Sequence, residues 1–228
     1  MFSRHDLIWL SARGWERAAA AAAPGAREAI ACWGAAGWPA VVTRTPATLA
    51  PGEVALGIAL PPRPDGAKPR IALAAAVAEI ARGNPALPLA EAIAAAPAAW
   101  QAALAALDRE ATDGGCTLRV YGSLAFAALT GQTCLRAGSD IDLLLHPADA
   151  RSYEAALDLL VRHARVLPLD GEIVFGGGQA VAWKELAGCR DGQARVLAKS
   201  LHGVALVSVD SLLASLHTNV NETAPCTA

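Results

Sequence analysis

The chain has 228 residues, 54% of them hydrophobic and 18% charged, with a mean hydropathy of +0.34. That is long enough for one large or two small domains and too apolar for a disordered polymer. The net charge is −2, and residues 1–110 carry 10 basic and 9 acidic side chains against 9 and 12 in residues 111–228, so neither half has the basic excess of a nucleic-acid binder.

The longest charge-free stretches run about 16 residues and contain Pro, Gln, Gly or Thr. They fall short of the ~20 apolar residues of a membrane span. Leu7–Leu10 is too short an apolar run for a signal peptide and is flanked by Arg4, Asp6 and Arg13. The five cysteines (Cys32, Cys116, Cys134, Cys189 and Cys226) are odd in number and include no Cys-x-x-Cys. They read as free thiols of a cytoplasmic protein.

In chain order, Ala18–Ala23 and Ala26–Ala36 read as helices broken at Pro24-Gly25. Pro39–Arg44 and Glu53–Leu60 read as strands, and residues 61–66, rich in Pro, as a loop. Arg70–Ile80 reads as a strand passing into a helix. Leu89–Ala95 and Ala98–Ala111 read as helices, and Asp113-Gly114-Gly115 breaks the pattern. A domain boundary is therefore placed at 110/111. After it come a strand at Thr117–Tyr121, a short helix at Ser123–Thr130, a loop at Gly131–Gly138 and a strand at Asp140–Leu145. Asp149 is a good N-cap for a helix through Ala164, whose apolar positions follow the i, i+3, i+4 rule. Leu167–Phe175 and Gln179–Trp183 read as a hairpin around Gly176–Gly178. Gly203–Val209 is a strand, a helix starts at Asp210, and residues 218–228 read as a polar tail. The fold class is α/β (α+β), with a mixed sheet in the C-terminal domain and an α/β N-terminal domain.

One stretch carries chemistry: Tyr121-Gly122-Ser123, then Ser139-Asp140-Ile141-Asp142. Strand side chains alternate faces, so Asp140 and Asp142 point the same way, about 7 Å apart. Two carboxylates so placed suit one or two Mg²⁺ (or Mn²⁺) ions, which also take substrate phosphates. Gly122 lets the backbone approach a ligand, and the helix behind it offers free N–H groups and the Ser123 hydroxyl to a phosphate. Glu172 is the preferred third carboxylate, with Asp170, on the same strand face, as the alternative. Arg136 is a candidate phosphate clamp. His146, just past the strand, is a weak candidate for a general base. His5 and Asp6 either anchor Leu7–Leu10 or touch the substrate.

The pattern Gly-Ser, short helix, Asp-x-Asp strand and later acid resembles the nucleotidyltransferase superfamily, although the spacer of 16 residues between Ser123 and Asp140 is somewhat long. Residues Arg4–Leu10, Gly37–Val42, Gly57–Leu60 with Arg70–Ala72, Val120–Ala125, Ser139–Leu145, Leu169–Glu172, Ala180–Leu186 and Val196–Ser200 together resemble the phosphoribosyl-dephospho-CoA transferase family, in order and across nearly the whole chain. The loop Gln132–Gly138 departs from that family's more aromatic or proline-containing stretch.

The resemblance implies a donor, 2′-(5″-triphosphoribosyl)-3′-dephospho-CoA, and a serine acceptor on the acyl carrier protein of malonate decarboxylase, with diphosphate released. It implies metal ligation by Asp140, Asp142 and Glu172. It also implies phosphate binding at Gly122, Ser123 and Arg136, with triphosphate neutralisation by Lys199 or, less favoured, Lys184. Residues 1–110 would recognise the donor, the carrier protein, or both. The alternatives are an ATP-using nucleotidyltransferase and a catalytically silent antitoxin-like module.

Overall fold

The computed structural model describes residues 2–61, 67, 69–132, 134–136, 138–189 and 193–216. Of the features read from the sequence, most of the loop at 61–66, including Arg63, and the tail at 218–228 lie outside these residues, as do Thr133 and Ala137.

The chain opens with β1 (Leu7–Leu10), α1 (Ala12–Ala21), α2 (Pro24–Ala35), β2 (Ala40–Val42), β3 (Glu53–Ala59), β4 (Arg70–Ala76) and β5 (Ile80–Asn84). These strands form an antiparallel sheet in the order β4-β3-β2-β1-β5. Ser11 caps α1 by accepting from the Gly14 N–H at 3.2 Å, and Pro24 sits in the first turn of α2, where its missing N–H costs nothing. The second half runs β6 (Leu87–Pro88), α3 (Leu89–Ala92), α4 (Ala98–Asp113), β7 (Cys116–Val120), α5 (Gly122–Thr130), β8 (Ile141–Pro147) and α6 (Ala150–His163). It ends with β9 (Leu169–Val174), β10 (Ala180–Ala182), α7 (Trp183–Gly188), β11 (Arg195–Lys199), β12 (Val204–Ser208) and α8 (Val209–Leu216). Its seven-stranded sheet, β12-β11-β10-β9-β8-β7-β6, is mixed: β8 and β9 are parallel, joined by the α6 crossover, and the other pairs are antiparallel. Asp149 caps α6 as expected, accepting from the Ser152 N–H at 2.7 Å.

Strand alternation joins the two sheets. Ile8 and Leu10 on β1 face the core built with α1 and α2, through Trp15, Ile30 and Trp33. Leu7 and Trp9, one residue out of phase, pack against the core of the second sheet, as does Val41, which is paired with Leu7. The first sheet is thus buried on both faces near β1 and β2.

Two expectations change. The stretch 70–80 does not pass into a regular helix: β4 leads through a single 3-10 turn at Val77–Glu79 into β5, because Ile80–Asn84 finds a partner in β1. The unit boundary lies between β5 and β6 rather than at 110/111. Helices α3 and α4 belong to the second core, where Leu89, Leu104 and Leu107 are 0% exposed. Leu107→Ala should therefore lower stability by ~2–5 kcal/mol, the cost of a cavity in a packed core. Urea unfolding measures this, and a loss under ~1 kcal/mol would mean that α4 is only a surface appendage.

Candidate active site

The second sheet positions the site. Strand β7 ends at Val120, opposite Leu143, and the next N–H, from Tyr121, donates to the Asp142 carbonyl at 3.0 Å. The chain must then turn sharply into α5 while passing the Asp142 side chain. Gly122 does this with φ +65°, and a methyl group built there would overlap the Asp142 carboxylate. The Gly-Ser motif therefore exists here to bring a helix start against an acid on the neighbouring strand. On β9, Asp170 is the register partner of Asp142, and Glu172 is the partner of Leu144. Gly171, between them, has φ +126° and lies so close to Leu143 that a side chain would strike its backbone.

Glu172 is buried, at 4% exposure, and meets three groups from distant parts of the chain. Lys199 Nζ on β11 donates to Oε1 at 2.9 Å. The Arg4 guanidinium lies 3.2 Å from Oε2 and 3.5 Å from Oε1. His5 Nε2 is 3.9 Å from Oε2 and accepts from Arg4 at 3.1 Å, which makes His5 a neutral ring with its proton on Nδ1. The His5 ring lies 4.0 Å from that of Tyr121, and His5 is the one non-glycine residue with positive φ (+71°) among the described residues. Such backbone strain persists only where the surroundings enforce it.

These contacts set the protonation states. Burial pushes the His5 pKa down to about 4, with the Arg4 charge acting in the same direction. Burial alone would raise the Glu172 carboxyl, but the Lys199 hydrogen bond and the Arg4 and Lys199 charges outweigh it and hold the group below its ordinary value. Burial raises the Tyr121 phenol, aided by the charges of Glu172, Asp142 and Asp170.

A cavity of about 670 Å³ opens between the two sheets, lined by both units. Of the residues singled out from the sequence, Gly122, Ser123, Asp142 and Lys199 line it. Asp140 is exposed and Arg136 is exposed; neither belongs to the lining. Lys184 pairs with Asp170 at 3.4 Å, on the surface. His146 sits four residues along β8 from Asp142, about 13 Å away at 3.3 Å per residue, and outside the lining, so it is not placed to act as a base there. Asp6 closes a turn by accepting from the Ser3 N–H at 2.7 Å, while His5 is the member of the pair that enters the site.

The donor set was tested against a divalent ion. Asp142 at the cavity wall and Asp140 two residues upstream offer hard oxygen donors, which fits Mg²⁺ or Mn²⁺ held by one or two carboxylates plus substrate phosphates. Glu172 does not fit as the third ligand: Oε1 accepts from Lys199, and Oε2, which accepts no hydrogen bond, faces the Arg4 guanidinium at 3.2 Å, whose positive charge opposes a cation there. Among the described residues no three His, Cys, Asp or Glu side chains come together as a metal cluster. The expected convergence of Asp140, Asp142 and Glu172 is replaced by a buried acid with its own cations. Arg4 and Arg44, which also line the cavity, were not singled out for the site by sequence reasoning. The signal for Arg4 is the polar Arg4-His5-Asp6 run just ahead of an apolar strand.

A pH dependence follows from His5. Between pH ~6.5 and ~4 the unfolded chain binds a proton that folded His5 refuses, so stability falls as pH falls through this window. Glu172, with its depressed pKa, adds a further loss below the ordinary carboxylate range. His5→Asn should reduce the loss between pH 7 and 5 by up to ~2 kcal/mol relative to the parent, measured by urea unfolding at both pH values. Equal losses in both proteins would contradict a neutral, buried His5.

Comparison with known proteins then places the chain. Residues 3–85 match the family model described as phosphoribosyl-dephospho-CoA transferase MdcG N-terminal domain, and residues 88–210 match the corresponding C-terminal domain. The boundary between the two matches coincides with the junction of the two sheets. A relative from Xanthomonas campestris pv. campestris, named phosphoribosyl-dephospho-CoA transferase, is 44% identical over 209 residues, covering 91% of this chain and 94% of its own. Two others with the same name come from Xanthomonas euvesicatoria pv. vesicatoria, 40% identical over 88% of this chain and 91% of the relative, and Bradyrhizobium diazoefficiens, 35% identical over 90% and 89%. No solved structure matches the chain. Both of its units match in order and nearly end to end: the chain belongs to the phosphoribosyl-dephospho-CoA transferase family and is a transferase.

Proposed function

We propose that this enzyme transfers the phosphoribosyl-dephospho-CoA group from 2′-(5″-triphosphoribosyl)-3′-dephospho-CoA to a serine of the acyl carrier protein of malonate decarboxylase, releasing diphosphate. The observation that carries the reading is the cavity: Asp142 and the start of α5 line it together with cationic side chains of both units. The serine oxygen forms a bond to the α-phosphorus of the donor, and the bond from that phosphorus to the bridging oxygen of the leaving diphosphate breaks. Mg²⁺ or Mn²⁺ bound by Asp140 and Asp142 would supply neutralisation of the triphosphate charge.

The chain's own groups do the rest. The N–H groups at the start of α5 and the Ser123 hydroxyl hold phosphate oxygens. Lys199 and Arg4 approach the same cavity with their charge partly offset by Glu172, so they are oriented before any phosphate arrives, and preorganised charge is the main electrostatic lever on such a reaction. Seating the donor between the sheets leaves the acceptor serine to reach within about 3–3.5 Å of the α-phosphorus. Family membership removes the silent antitoxin-like alternative, and the matches along both units support the CoA-like donor over ATP.

Mass spectrometry of the apo-carrier protein after incubation with donor, Mg²⁺ and enzyme tests the reading; the added prosthetic-group mass is the expected result. Asp142→Asn should cut the transfer rate at least ~100-fold, about 2.7 kcal/mol of lost transition-state stabilisation, while the urea midpoint barely moves. Near-parental turnover by the folded variant would contradict the assignment of Asp142.

A further inference from the structure

Cationic side chains line the cavity at separate places. Among the described residues its lining has four cations, Arg4, Arg44, Arg70 and Lys199, against one carboxylate, Asp142. Glu172 offsets one of the two positive charges of Arg4 and Lys199, leaving a net positive charge there. Arg44 and Arg70 have no carboxylate partner among the described residues, yet they are set far apart by the first sheet.

Arg44 lies two residues past the end of β2, where the next N–H, from Thr45, donates to the Leu201 carbonyl at 2.8 Å. That contact places it beside the end of β11, near Lys199. Arg70 opens β4, the edge strand, opposite Ala59. Register puts Arg70 on the same face as Ala59, Ala72 and Gly57, and Gly57 is paired with Val41, which turns toward the second unit. By strand spacing, the backbones of the two arginines are roughly 16 Å apart along the strands and about 10 Å across them. Between them the wall is built from Gly57, Ala59 and Ala72, side chains too small to fill the space. The two backbone positions are thus roughly 19 Å apart, further than a single phosphate group reaches when each arginine stays on its own side of the cavity.

The proposed donor has two polyphosphate groups on opposite sides of its adenosine. One is the triphosphate on the added ribose; the other is the diphosphate joining adenosine to pantetheine. Resting on the transferase reading above, we infer that the cavity contains two anion subsites, one at Ser123, Arg44 and Lys199 for the triphosphate, and one at Arg70 for the diphosphate of the dephospho-CoA moiety. The small-residue wall between them is where the adenosine and its riboses lie. Arg70 acts in binding, as a planar, bidentate partner for phosphate.

Calorimetric titration with two probes, dephospho-CoA and inorganic triphosphate, separates the subsites. Arg70→Gln should weaken dephospho-CoA at least about tenfold and leave inorganic triphosphate within about twofold, and Arg70→Lys should recover part of the loss. Arg44→Gln should show the reverse pattern. Thermal unfolding checks that each variant is folded, and Arg70, an exposed residue at a sheet edge, has little packing to lose. If the parent binds dephospho-CoA and Arg70→Gln binds it equally well, the Arg70 subsite is wrong while the transferase reading stands. If Arg70→Gln loses both probes alike, the cavity is one continuous anion site and the division is wrong. If the parent fails to bind dephospho-CoA at all, the proposed donor falls, and the subsite with it.

Discussion

A carboxylate buried in a sheet must be compensated or neutralised, and Glu172 is compensated from two directions. Taking its charge out of water costs several kcal/mol, which only close, well-placed cations recover. One of those cations, Lys199, arrives on a strand two positions across the same sheet. The other, Arg4, comes from the segment just ahead of β1, which is hydrogen-bonded into the first sheet. The ion pair therefore can form only when the two sheets are together, and its cost if broken makes the junction of the units part of the folded state. The apolar contacts of Leu7, Trp9 and Val41 with the second core act at the same junction. The Arg4 Nη1–Oε2 approach at 3.2 Å is a charge contact without hydrogen-bond alignment, so Coulomb attraction in a low-dielectric setting carries it more than directional bonding.

The same pair explains the form of the cavity. Holding β1 and β2 against the second sheet leaves the outer strands β3 and β4, with Gly57, Ala59 and Ala72, facing open space. Glu172 keeps its cations at the wall of that space, where an arriving polyanion meets them already oriented. Asp142 sits across from them, set by the left-handed backbone of Gly122.

Much of this was legible in the sequence. Local signals gave the helices that have caps or strong periodicity, as with Asp149 and α6, and the Gly-Ser turn into α5. The strand alternation that puts Asp170 and Glu172 on one face also held. What failed depends on partners far away in the chain. Strands β1 and β5 are four and five residues long and carry little periodicity; each is a strand because the other pairs with it. Helix α4 looks like the end of the first unit because it precedes a Gly-Gly break, whereas its apolar stripe belongs to the second core. Glu172 looked like a metal ligand because its face was correct, and nothing local reveals that Arg4, 168 residues earlier, lies against it.

The most direct test of the account is a double-mutant cycle between Arg4 and Glu172, read as urea unfolding of the parent, Arg4→Gln, Glu172→Gln and the double variant. The two side chains contact each other while lying in different units, so the cycle isolates the interaction on which the junction depends. The account predicts a coupling energy of about 1–3 kcal/mol, with Glu172→Gln in an otherwise parental chain leaving the half-buried Arg4 without its carboxylate. Additive losses, with coupling within about 0.5 kcal/mol of zero, would contradict it.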